Sequence, residues 1–174
     1  MPRITQSFRF CPQCGRNGPP ADCNPFVCPD CDFTFFFNPA VAVAGIITDS
    51  ADRILLLRRA QEPGKGQFGL PGGVVDPGES AEGALIREIR EELNLELAEG
   101  DFFCSYPNTY THKGVTYDVI DLFYICQVES LDPINPQTSE VADWCFCHPS
   151  PGQLSNMAFP SNRRALEQFL TTRS

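Results

Sequence analysis

Nowhere in the chain is there a run of about 18 apolar side chains, the length a membrane-crossing helix needs. The opening MPRITQSFRFCP also lacks the continuous apolar stretch of a secretory signal, so the expected location is the cytoplasm. Positive charge is scarce as well: 13 basic residues face 22 acidic ones, for a net charge of -9. That balance excludes general affinity for the nucleic-acid backbone or an anionic membrane. A phosphate-bearing substrate would need a cation or a local basic cluster in order to approach. The two histidines, His112 and His148, have no companion at ligand spacing, and no internal repeat or low-complexity tract is present. The cysteine count, 9, is odd, which argues against a simple disulfide framework. What is present is a 42% hydrophobic content, enough for a real core, on a 174-residue chain with room for one ordinary domain and a small module.

The module comes first. CPQCGRNGPPADCNPFVCPDC holds two Cys-Pro-x-Cys knuckles, Cys11 with Cys14 and Cys28 with Cys31, separated by 13 residues. Each knuckle lets two thiolates grip one ion from a tight turn, and the pair completes the tetrahedral sulfur site that zinc prefers. A redox pair or an exported disulfide module would not explain why the pattern occurs twice. Cys23 matches neither knuckle and stays outside the site. Four thiolates leave no open coordination position, so the expected role of the zinc is structural. A ribbon of this kind can also bind nucleic acid, but Arg3, Arg9 and Arg16 are few cations for that purpose. Phe33, Phe35, Phe36 and Phe37 are expected to form the ribbon's packing surface against the next domain, with base stacking as the functional alternative. Asn38-Pro39 marks the boundary, giving a zinc ribbon over 1–37 and a second domain over 38–174.

AVAVAGIITDSADRILLLRRA contains two apolar runs around a polar turn from Asp49 to Arg53, which predicts a hairpin. A Gly- and Pro-rich stretch follows. Ser80 is a suitable N-cap for a helix running to about Leu93, on which Ala81, Leu85, Ile89 and Leu93 recur every four residues as a core stripe. Asn94 tolerates the left-handed conformation of a C-terminal cap. Residues 102 to 128 alternate as strands around a turn at Lys113-Gly114, VADWCFCH reads as a further strand, and NRRALEQFLTTR as a closing helix. Strands and helices in this order predict an α+β, mixed α/β sandwich.

Glu88, Glu91 and Glu92 form a ridge along one border of the helical stripe. Exposed like charges at such spacings cost only about 0.2–0.5 kcal/mol per pair, so a solvated acidic face is the plain alternative. The preceding glycine loop favours another reading, because Mg²⁺ is bound by a few carboxylates together with substrate phosphates. At this point the stretch resembles the Nudix hydrolases. Gly73 is followed after five residues by Glu79, and after seven more by Arg87-Glu88-Ile89, Arg90, Glu91-Glu92, Leu93, Asn94 and Leu95. The one departure is Asn94, where the family has Gly.

The resemblance implies an αβα sandwich that hydrolyses a nucleoside diphosphate linked to another moiety. By position it makes Glu88, Glu91 and Glu92 ligands for Mg²⁺ or Mn²⁺, with the Gly73 carbonyl a further candidate. Glu79 and Arg87 become a structural pair tying loop to helix. Glu140, or Asp143 beside it, resembles the general base or added acidic ligand that relatives carry on a later loop, and Glu140 is the preferred choice. Arg58 and Arg59 are possible phosphate contacts.

A four-cysteine ribbon followed by such a domain resembles the NADH pyrophosphatase branch, whose members are often dimers. That branch carries Ser-Gln-Pro-Trp-Pro-Phe-Pro after the box. Here the matching stretch reads Ser105-Tyr106-Pro107-Asn108-Thr109-Tyr110, which keeps only the Ser and first Pro. Tyr106, Tyr110 or Tyr117 is then the candidate base-stacking residue, and the substrate choices are NADH or NAD-like dinucleotides, ADP-ribose, a nucleotide sugar or another dinucleotide. The alternative function is a non-catalytic adaptor that senses a ligand or binds nucleic acid. The intact acidic box argues against it.

Overall fold

The computed structural model describes residues 1–173. In chain order its elements are α1 (Ile4–Ser7), β1 (Phe26–Val27), β2 (Thr34–Phe35), β3 (Ala40–Ile47), β4 (Ile54–Arg59), β5 (Phe68–Gly69), α2 (Ala81–Leu93), β6 (Leu97–His112), β7 (Val115–Val128), β8 (Val141–Cys147), α3 (Pro151–Ser155) and α4 (Pro160–Thr172). They pack as two units, one of residues 1–40 with 109–119, the other of 41–108 with 120–174.

In the larger unit, strand periodicity decides the layers. Along β3 the side chains of Val43 and Ile47 point to one face and those of Ala44 and Ile46 to the other; β4 divides Leu55 and Leu57 from Ile54 and Leu56 in the same way. The first set joins Leu85, Ile89 and Leu93 of α2 in one core, and the second joins Ala165, Leu166 and Phe169 of α4 in another. Helices therefore cover both faces of the strands, and the sandwich is α+β in class.

Two three-stranded sheets make the middle layer, in the orders β3-β7-β6 and β5-β4-β8. The expected hairpin between β3 and β4 does not form. The Asp49 turn exists, with the Asp49 carboxylate accepting the Ala51 and Arg53 N–H groups at 3.0 and 2.9 Å. Beyond one bridge between Thr48 and Ile54, however, the strands separate into different sheets. The physical reason lies in their burial: each run is apolar on both faces, so each needs neighbours and covering helices that a two-stranded hairpin cannot supply. The other local expectations hold. β6 and β7 turn through Lys113 (φ 45°) and Gly114 (φ 83°), the doubly left-handed turn a tight hairpin requires. Neither α1 nor α3 was expected, although Ser150 heads a capping box with Gln153.

In the smaller unit, Phe8 stacks on Phe35 and packs edge-on to Phe26 and Phe37. Phe33 and Phe37 pack on the ribbon's own core of Cys11, Phe26 and Cys28, whereas Phe35 and Phe36 are exposed. The hairpin tip joins this unit through Arg3, which grips both Asp118 oxygens at 2.7 and 2.9 Å.

Candidate functional site

Among the described residues, one group of cysteines meets the geometry of a metal centre: the Sγ atoms of Cys11, Cys14, Cys28 and Cys31 all lie within 4.8 Å of one another. The Cys11–Cys31 and Cys14–Cys28 pairs are 3.7 Å apart. A tetrahedron of bonds near 2.3 Å has sulfur–sulfur edges of about 3.8 Å, so the four thiols fit one ion. The two knuckles are built alike. Gly15 and Asp32, each just past its second cysteine, have φ of 74° and 56° and return their N–H groups to the carbonyls of Cys11 and Cys28. Arg16 then bridges to Asp30 across the knuckles at 2.8 Å. Cys23 lies outside the group.

The second site grows from the loop after β5 and from α2. Ser80 accepts the Gly83 N–H at 3.0 Å to start the helix. Asn94, at φ 56° and ψ 37°, ends it and donates to the Arg90 carbonyl. Between these caps, burial of Leu85, Ile89 and Leu93 turns the carboxylate border toward the loop. Residues 71–75 lie antiparallel against β3, with the Pro71, Gly73 and Val41 carbonyls accepting from Gly45, Val43 and Val75. This ladder holds the Gly72-Gly73 backbone against the helix.

Gly72 is required sterically, and Gly73 leaves room for a side chain. Gly72 has φ of 141°, and a Cβ there would run into the Val43 carbonyl. A Cβ on Gly73 would occupy the space of the Glu88 carboxylate. The backbone consequently comes close enough for the Gly72 N–H to bind Glu92 Oε2 at 2.8 Å.

Two further carboxylates, Glu88 and Glu140, lie near this contact. Glu92 is buried, only 8% exposed. Burial, with the nearby charges of Glu88 and Glu140, pushes its carboxyl up to about 8 against the pull of the Gly72 N–H and Arg59. Desolvation also raises Glu88, and the fields of Glu91 and Glu140 add to it. Glu140 arrives from the loop before β8. The Gln137 N–H donates to the Glu92 carbonyl at 2.9 Å, and the Glu140 carbonyl accepts from Ala60 at 2.8 Å.

Arg87 organises the rest. Its Nε and Nη2 grip the two Glu79 oxygens at 3.0 Å each, Nη2 reaches the Val74 carbonyl at 3.1 Å, and Nη1 reaches Glu88 and Glu91 at 2.8 and 3.3 Å. Those bonds hold Glu79 below the usual carboxylate range. Loop and helix are thereby locked into one piece.

The remaining expected site residues are placed differently. Arg58 donates to the Gly66 carbonyl at 2.7 Å and lies over Phe68, while Arg59 donates to the Pro63 carbonyl at 2.8 Å and lies over Phe159. Both thus support the loop between β4 and β5, and Arg59 also reaches Glu92 electrostatically. Tyr106 donates to Gln168 of α4 and packs on Phe123. Tyr110, in the smaller unit, stacks on His112. The sequence reading missed Gly72; its signal was the doubled glycine, since only glycine takes this φ and approach.

Fold and site together define a two-sheet α+β domain in which a glycine loop and the helix after it gather carboxylates. A family model for the NUDIX domain matches residues 38–169, and the chain belongs to the NUDIX domain family. An ADP-ribose pyrophosphatase from Methanocaldococcus jannaschii is 49% identical over 63 residues, covering 36% of this chain and 37% of that one. A NAD-capped RNA hydrolase NudC from Vibrio vulnificus is 30% identical over 141 residues, 80% of this chain and 51% of that one. The chain spans about half or less of the length of these curated relatives. Among solved structures, a Nudix hydrolase from Nitrosomonas europaea shares the fold at TM-score 0.69, with 24% identity, 95% of this chain and 92% of that one covered. A MutT Nudix hydrolase from Burkholderia pseudomallei has TM-score 0.60 and 29% identity, covering 75% of this chain and 98% of that one.

Proposed function

We propose that the chain is a divalent-metal-dependent pyrophosphohydrolase that cleaves the diphosphate of a nucleoside diphosphate linked to another moiety, of the NAD-like dinucleotide or ADP-ribose type. The observation that carries this reading is Glu92: a carboxylate buried beside Glu88 and Glu140 with a single hydrogen-bonding N–H wants a cation. The names of the two relatives support the substrate class.

In this reading Glu88, Glu91 and Glu92 hold Mg²⁺ or Mn²⁺, with the second lone pair of the Gly73 carbonyl available beside them. The ion supplies phosphate-charge neutralisation and an acidified water when bound. Glu140 is the group assigned to take the proton from the attacking water, because its charge lies near enough to act on both Glu88 and Glu92. The four ribbon cysteines hold a structural Zn²⁺, in a ribbon assigned to 1–37 ahead of the hydrolase domain at 38–174.

The test is Glu92→Gln, which keeps shape and the Gly72 contact but removes the charge. Its circular dichroism should match that of the parent while Mg²⁺-dependent AMP release from NADH, NAD or ADP-ribose falls by roughly a hundredfold or more. An unchanged rate would remove the ridge from the mechanism.

A further inference from the structure

The chain changes sheets at Leu70. Just before it, Phe68 and Gly69 pair with Arg58 and Leu57 of β4; just after it, the Pro71 and Gly73 carbonyls accept from Gly45 and Val43 of β3. At such a crossing the backbone belongs to neither ladder, and a buried N–H without a partner is costly. Leu70 is buried, and its N–H is met from outside both sheets by Asn162 Oδ1 at 3.1 Å. Two residues further on, the Gly72 N–H holds Glu92.

Asn162 is itself fixed by an arrangement that serves no other purpose in the site. It lies in the first turn of α4, whose N-cap residue, Phe159, has no side chain able to cap. Asp121 of β7 anchors that turn through a side chain instead: its carboxylate, buried at 6% exposure, accepts the Ser161 hydroxyl and the Asn108 amide, the latter at 2.8 Å. A negative group at a helix N-terminus is favourable, and here it pins the start of α4 to the sheet. Ser161 and Asn162 are both buried as a result.

We propose that Asn162 is a positioning residue for the metal site, acting through Leu70 to set where the Gly72 N–H meets Glu92, with Asp121 and Ser161 holding Asn162 in place. The proposal rests on the reading of Glu92 as a metal ligand for its catalytic consequence, but its structural half does not. The contact depends on one accepting oxygen, so two variants separate it from general packing. Asn162→Leu keeps the branched shape and loses the acceptor; Asn162→Asp keeps an accepting oxygen while exchanging the amide group for a carboxylate.

Amide hydrogen exchange on the metal-free protein reads the structural half. Protection of the Leu70 and Gly72 amides should fall roughly tenfold in Asn162→Leu and stay near that of the parent in Asn162→Asp. Mn²⁺ titration and Mg²⁺ activation read the catalytic half. Asn162→Leu should need roughly tenfold more metal for half-maximal turnover, with kcat at saturating metal and KM for ADP-ribose close to the parent's.

Unchanged Gly72 protection in Asn162→Leu, or an equal loss of Leu70 and Gly72 protection in Asn162→Asp at unchanged global stability, overturns the proposal. So does equal metal affinity in all three proteins. A parent protein that shows no metal-dependent turnover, while the Gly72 amide still loses protection only in Asn162→Leu, refutes the hydrolase reading and leaves the positioning contact standing.

Discussion

Glu92 concentrates the chemistry of the site in one side chain. In the unfolded chain its carboxyl would titrate near the ordinary value of 4.5, whereas burial in the folded, metal-free protein pushes it up to about 8. Between those values the folded state binds the extra proton, so stability falls as pH rises through that window and levels off above it. Urea unfolding in the presence of EDTA should show this fall between pH 5 and 8, on the order of a few kcal/mol, and Glu92→Gln should flatten it. Excess Mg²⁺ should offset the loss at the upper end, because it favours the ionised form. The identity of Glu92 as part of a carboxylate ridge was legible from its four-residue spacing to Glu88. Its singular burial was not, since Glu91 on the same ridge leaves its side chain 55% exposed. Which glutamate is enclosed depends on where the Gly72-Gly73 backbone lands.

At the scale of elements, α2 was readable nearly to the residue because its signals are local. A serine cap, a four-residue apolar repeat and an asparagine that adopts φ 56° all act within one or two turns. Replacing Asn94 by alanine should therefore cost about 1 kcal/mol in chemical denaturation, since alanine enters the left-handed region less readily. The β6–β7 turn was legible for the same reason. The β3–β4 hairpin was misread because two apolar runs around a polar turn look alike whether the strands pair or part. Burial on both faces decided for parting, and periodicity alone cannot reveal which distant strands become neighbours. Asp121 shows the same limit: it stands among buried Val119 and Phe123 at the alternating positions of β7, a polar residue at a core position whose partner lies 40 residues away.

For the whole molecule, the cysteine knuckles make the sharpest expectation. Elemental analysis should find about one zinc per chain, and Cys28→Ser should release it, because a site of three thiols and one hydroxyl no longer closes the tetrahedron. No helix among the described residues is long and apolar enough to cross a membrane. The sequence by itself determined what depends on near neighbours: the two knuckles, the glutamate ridge with its caps, the glycine loop before it, and through these the family. Only the tertiary structure decided what depends on chain crossings: that β3 and β4 part into two sheets, that Arg58 and Arg59 grip loop carbonyls, and that Asn162 meets Leu70. Local signals act over a few residues and survive in the linear order. Contacts between strands and helices far apart in the chain are selected by which apolar faces must be covered together, and that choice is made only when the whole core packs.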